Sequence, residues 1–85
     1  MAVKKESAIT VALGSVIRVH RHLLGLSQEE LAHRCRLHRT YVADVERGNR
    51  NPSLLALEKI ATGLEAQLSE LFSDVERHRG GKAKP

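Results

Sequence analysis

Leu26 to Gly48 reads LSQEELAHRCRLHRTYVADVERG, and this run limits what the rest of the chain can be. Two short helical patterns lie in it, too close together to be anything but a tight pair. Ser27 followed three residues later by Glu30 is a capping box, in which the serine hydroxyl and the glutamate carboxylate each satisfy a backbone N–H left free at a helix start. Leu31, Ala32 and Cys35 then recur on one side of a helical repeat. Arg36, Leu37 and His38 interrupt it. The repeat resumes with Val42 and Val45 and stops at Gly48, where a glycine lets a helix exit through a left-handed residue. Leu37 is expected to plug the space between the two apolar faces. Arg39, Thr40, Ala43, Asp44 and Arg47 remain on the outer side of the second helix. They form a narrow strip of guanidinium and hydroxyl groups with a small residue between them, a shape that suits the major groove, which admits one helix.

The chain has 85 residues, enough for one domain near the lower size at which a core alone stabilises a fold. Tyr41 and Phe72 are the only aromatic residues, so the core must be built from Leu, Ile, Val and Ala, which favours small interlocking helices. Pattern and composition agree on an all-α fold. One cysteine excludes an internal disulfide and fits a reducing, cytoplasmic setting. Cys35 lies on the apolar face of the first motif helix and reads as a buried structural thiol. No segment approaches the length of a membrane span, and no signal-peptide pattern opens the chain, so a membrane location is not expected. The formal net charge is +4, unevenly spread. Residues 1–51 carry nine Lys/Arg and five Asp/Glu, residues 52–76 one and five, and residues 77–85 four and none. Positive charge therefore travels with the motif, and a polyanion is the natural partner for that part.

Outside the motif the chain reads as three more helices. Met1 to Glu6 is polar and expected to be a flexible N-terminus. The domain proper spans 7–78, with Ser7 capping a first helix that runs to Leu24 and stops at Gly25. Leu13, Val16, Ile17 and Leu24 supply its buried stripe. Asn49-Arg50-Asn51-Pro52 is a loop, and Ser53 caps a fourth helix whose apolar face is Leu54, Leu57, Ile60, Ala61 and Leu64. Leu68, Leu71, Phe72 and Val75 mark the last helix, ending near His78, and residues 79–85 are expected to be a disordered basic tail. Five histidines raise the question of a metal, but His33, Cys35 and His38 match no zinc module, and residues two apart on a helix point to different sides. No metal, cofactor or small-molecule ligand is expected. The chain offers no nucleophile elbow, phosphate loop or metal pair, and enzyme activity is not expected either.

Leu26 to Ala32, then Arg39-Thr40-Tyr41-Val42, then Val45-Glu46-Arg47-Gly48, with Asn51-Pro52-Ser53-Leu54 behind them, resemble the helix-turn-helix of the phage-repressor and Cro-like (XRE) family. The resemblance covers about Leu13 to Phe72. The short single-domain form and the His-Arg-Thr-Tyr opening of the second motif helix look like the controller proteins of restriction–modification systems; short stand-alone repressors are similar too. The resemblance implies a five-helix domain in which helices 2 and 3 are the helix-turn-helix, acting as a homodimeric, sequence-specific regulator of transcription. Arg39, Thr40, Ala43 and Asp44 would contact bases. Ser27, Gln28, Tyr41, Arg47, Asn49, Arg50 and Asn51 would contact phosphates, with Tyr41 equally able to pack under its helix. The family also implies a buried ion pair between Arg21 and Glu46. Two departures stand out: Arg36 and Glu65 occupy places where the family has glycine. The turn at Arg36 is therefore expected to be less sharply left-handed, and the start of the fifth helix near Gln67 is left open.

One recognition helix reads only a few base pairs, so two half-sites of a palindromic operator are expected, about one helical turn (~34 Å) apart. The dimer interface is placed on Leu68, Leu71, Phe72 and Val75, with Leu68 and Leu71 facing inward and Phe72 and Val75 making the contacts. Partners are then double-stranded DNA, a second copy of the chain and, for a transcriptional regulator, RNA polymerase. Two rival readings carry different signatures. A protein-binding helix-turn-helix adaptor would present an apolar or acidic outer face, unlike Arg39, Thr40 and Arg47. A non-specific or single-strand nucleic-acid binder would offer stacking aromatics, and this chain has almost none.

Overall fold

Residues 8–79 are described by the computed structural model, and five α-helices account for most of them. They are α1 (Ala8–Leu23), α2 (Gln28–Cys35), α3 (Arg39–Glu46), α4 (Leu54–Gly63) and α5 (Leu68–His78). The N-terminal segment 1–6, the Ser7 cap and residues 80–85 of the expected tail lie outside the described residues. Among the described residues there is no strand, and no helix is long and apolar enough to cross a membrane. The capping box at the start of α2 is formed: the Glu30 N–H donates to Ser27 Oγ at 3.0 Å, and the Ser27 N–H donates to Glu30 Oε1 at 2.8 Å. Ser53 caps α4 with its hydroxyl alone, accepting from the Ala56 N–H at 3.0 Å.

α1 packs along α5 and α3, α2 packs against α3 and α4, and α4 also touches α5. All five helices share one core, in which Ile17, Leu31, Val42, Ile60 and Leu71 are fully buried. Burying each such side chain contributes roughly 1.5–3 kcal/mol, so an aliphatic core can hold so short a chain. Leu37 packs against this core from the turn. Two residues assigned to apolar stripes are outside it. Leu24 is exposed because it lies beyond the end of α1, where the helical repeat no longer sets its direction; Leu26 packs in its stead. Leu54 is 70% exposed. The repeat gives it the right side of α4, but among the described residues no neighbouring element covers the first turn there.

The two places where glycine was missing turn out alike. Arg36 has φ 59° and Glu65 φ 58°, so both helices end through a left-handed residue that carries a side chain. The turn at Arg36 is thus fully left-handed, contrary to expectation. The backbone explains why: the Leu37 N–H donates to the Ala32 carbonyl at 3.0 Å, and the Ala66 N–H to the Ala61 carbonyl at 2.9 Å, closing the same helix-ending loop twice. Those bonds, and the packing of Leu37 and Ala66 behind them, offset the ~1–2 kcal/mol that the left-handed conformation costs an L-residue. Arg34 ties the two ends together, donating to the Gly63 carbonyl and to Glu65 Oε2, each at 3.1 Å. The start of α5 is fixed by Glu70, which accepts from the Gln67 N–H at 3.1 Å.

Two helical glycines let elements approach closely. A Cβ on Gly63 would lie 2.6 Å from Cys35 Sγ, and burial pushes that thiol up to about 11. It is a packing group, protonated at neutral pH. A Cβ on Gly14 would meet the Val45 carbonyl oxygen at 2.6 Å and the Glu46 carbonyl carbon at 2.8 Å, so α1 crosses the end of α3 with backbone against backbone. Backbone cannot swing aside as a flexible side chain can. Gly14→Ala is therefore expected to lower stability by at least the ~1–3 kcal/mol of an overpacked core, read as a fall in the urea midpoint.

Candidate nucleic-acid interface

α3 is positioned from its last residue. Glu46 is 3% exposed and Arg21, on α1, is 8% exposed. Arg21 Nε donates to Glu46 Oε2 at 2.6 Å and Nη2 donates to Oε1 at 2.9 Å, a bidentate pair. The third arm, Nη1, donates to the Leu26 carbonyl at 2.8 Å, which ties in the segment leading to α2. Gln28 Nε2 adds a bond to Glu46 Oε1 at 2.9 Å, and Arg18 Nη2 donates to the Glu46 carbonyl at 3.0 Å. Burial pushes the Glu46 carboxyl up, but the bonds from Arg21 and Gln28 and the charges of Arg21 and Arg18 outweigh it and hold the group below its ordinary 4.5. One carboxylate thus joins α1, the start of α2 and the end of α3. Arg18 and Gln28 were not singled out for this role in the sequence. The spacing of Arg18 and Arg21, three apart on one helix, is the signal that could have found the first.

The other end of α3 is set by His38, whose Nδ1 accepts from the Thr40 N–H at 3.2 Å. Histidine is not among the usual capping residues, so composition gives little hint of this. From that cap Arg39 and Thr40 project outward, both exposed, and among the described residues Arg39 pairs with no carboxylate. Ala43 does not join them. It is 9% exposed because it lies on the side of α3 turned toward the core, so its expected contact with bases is corrected.

Tyr41, Asp44 and Arg47 follow at successive turns along a second side of α3. The Tyr41 ring packs on the core, and the Arg50 guanidinium lies over it with Cζ 4.6 Å from the ring centroid. Tyr41 thus packs under its helix, the first of its two alternatives, and holds a cation above it. The Asp44 carboxylate is engaged from two directions, by Arg47 Nη2 on one oxygen and by Arg50 Nη2 at 3.7 Å from the other. Asp44, Asn49, Arg50 and Asn51 line an open cleft of about 630 Å3 beside the helix. Ser27 is exposed but committed to its cap, and the Gln28 amide is partly committed to Glu46.

α5 separates the four residues given to a dimer interface. Leu71 is fully buried and Leu68 is half-buried against the core. Phe72 is 38% exposed. Val75 is 1% exposed and belongs to the core, because α5 lies along α1 and turns that position inward; its assignment as an intersubunit contact is corrected. Among the described residues no group of His, Cys, Asp and Glu side chains gathers to hold a metal, and His33 and Cys35 lie on opposite sides of α2, one exposed and one buried.

Two eight-residue helices joined by a left-handed turn, the second capped at its start, clamped at its end and showing arginine and threonine outward, define a helix-turn-helix protein. The chain belongs to the XRE-type helix-turn-helix family, whose model matches residues 17–71. It is 44% identical over 70 residues to the control protein C.MunI of a Mycoplasma species, an alignment covering 81% of this chain and 95% of that one. The crystal structure of the restriction-modification controller protein C.AhdI from Aeromonas hydrophila superposes with a TM-score of 0.76 at 47% identity, over 78% of this chain and 100% of that one. The controller protein C.Esp1396I, solved as a tetramer with its natural 35 base-pair operator, superposes with a TM-score of 0.81 at 34% identity, over 87% of this chain and 97% of that one. These relatives are helix-turn-helix regulators and controller proteins, not enzymes.

Proposed function

We propose that this chain is a sequence-specific, double-stranded-DNA-binding regulator of transcription that acts as a homodimer on a palindromic operator in the cytoplasm. The observation that carries the reading is the exposed start of α3, where Arg39 and Thr40 stand outward on a helix fixed at both ends and, among the described residues, Arg39 meets no carboxylate. A planar guanidinium in that place suits guanine O6 and N7. Phosphates would be held by Asn49, Arg50 and Asn51 along their cleft, by Arg47, and by the Gln28 side chain with the N–H groups that open α2. The operator-bound state of the C.Esp1396I relative supports the same partner. The exposed Phe72 edge of α5 supports a second copy as the other partner. The domain is assigned to 7–78, flanked by short terminal segments. A protein-binding adaptor is the reading it displaces, since the outer face of α3 is cationic rather than apolar.

Mobility shifts against duplex DNA selected from a random pool, against random duplex, and against single strands test the proposal. Duplex selection with strong preference is expected; equal binding to all three would refute it. Within that assay, Arg39→Ala is expected to lose roughly 1–3 kcal/mol on the selected site, with little change on random duplex. Equal weakening on both would move Arg39 to a phosphate.

A further inference from the structure

The carboxylate on the side of α3 facing the loop has no place in a surface built to meet a polyanion, unless it does something there. We propose that Asp44 is an internal counter-anion whose charge partly cancels that of Arg47 and Arg50, which weakens their pull on phosphates and holds down binding to non-operator DNA. The proposal rests on the reading of the chain as a duplex-DNA binder. Its ground is geometric. One Asp44 oxygen takes Arg47 from one turn further along α3, and the other faces Arg50, which arrives from the loop and is steadied over the Tyr41 ring. The loop itself is tied to the same residue, because the Asn49 N–H donates to the Asp44 carbonyl at 3.0 Å.

Magnitudes decide between masking and mere positioning. Exposed and half-exposed ion pairs contribute little to holding side chains in place. The stacking of Arg50 on Tyr41 and the backbone bond of the loop do not involve the Asp44 carboxylate. Losing the carboxylate therefore costs little order. Its negative charge, in contrast, cancels one of two positive charges where phosphates would sit, and binding to random duplex is almost wholly electrostatic. The net effect of Asp44 on random DNA must then be unfavourable. Arg39, one helical turn or more away and paired with no carboxylate among the described residues, keeps its full charge, so charge favours the base-reading position over the phosphate-reading ones.

The test measures affinity of the full chain for random duplex and for a selected operator across a salt series, with Asp44→Asn, Asp44→Glu and, as a control, Glu58→Gln, an exposed acid on α4. Asp44→Asn is expected to bind random duplex roughly three- to tenfold tighter at low salt, with a log K against log salt slope steeper by about one. Asp44→Glu and Glu58→Gln are expected to stay near wild type. Placed in an Arg47→Ala or an Arg50→Ala background, Asp44→Asn should gain less, because fewer cations remain to be unmasked. Unchanged or weaker binding by Asp44→Asn, or an undiminished gain in both arginine backgrounds, would overturn the proposal. Wild-type protein that binds no duplex at all would sink the DNA-binding reading itself, a result separate from any effect of Asp44.

Discussion

Glu46→Ala is expected to lower the unfolding free energy by about 3–5 kcal/mol, the cost of stranding one charge of a buried pair. Two groups lose their acceptor at once. Arg21, 8% exposed, is left without its carboxylate, and the Gln28 amide is left without its bond to the same group. For a domain of this size such a loss takes most of the stability available. Arg21→Ala should cost a similar amount, and the double variant less than the sum, since the second deletion removes the stranded charge. Urea midpoints of the three variants measure this; shifts worth less than about 1 kcal/mol would mean the pair behaves as an exposed one.

The same clamp predicts an acid limb. The Glu46 carboxyl is held below its ordinary 4.5 in the folded chain, so near that value the unfolded chain binds more protons. Its contribution is therefore complete above the ordinary value and is lost as pH falls through the lowered one. Asp74 adds to the limb in the same direction. The hydrogen bond from His20, at 2.9 Å, and then Arg77 hold it below its ordinary 3.8. The wild-type urea midpoint should fall as the pH drops below the ordinary carboxylate range, and Glu46→Gln should start lower and fall less steeply.

The second large effect separates core from interface on α5. Val75→Asp is expected to unfold the protein, costing more than about 4 kcal/mol, because it removes a buried apolar side chain and places a carboxylate where no partner exists. Val75 is 1% exposed within a single chain, among the residues of the common core. Phe72→Ala, one turn away, removes a side chain that is partly in water, and should leave the chain folded. If α5 joins two copies, Phe72→Ala should sediment as a monomer at micromolar concentration, where the wild type is a dimer, and bind a palindromic operator poorly. A folded Val75→Asp would show that α5 does not pack as described. A Phe72→Ala protein that still sediments as a dimer would place the interface elsewhere.

Most of the architecture is local in origin, and for that reason it can be read from the sequence. Ser27 with Glu30, Ser53 and Gly48 act on backbone groups within a few residues of themselves, so the number and order of the helices follow from short-range chemistry. The aliphatic repeats of α2 and α3 are of the same kind. What the sequence could not yield depends on which face another element covers. Leu54 and Val75 both satisfy a helical repeat, yet one lies in water and the other in the core, because helical periodicity gives a direction and not the length of the neighbour that fills it. Ala43 and Asp44 are adjacent on α3, and only the docking of α1 and of the Arg50 loop turns the first inward and gives the second to two arginines. Arg36 shows the limit in the other direction. Its side chain argues against a left-handed turn, but the backbone bonds of Leu37 and the core behind it outweigh that preference. Short-range hydrogen bonding determined the helices, and long-range packing decided which of their side chains are left to meet a partner.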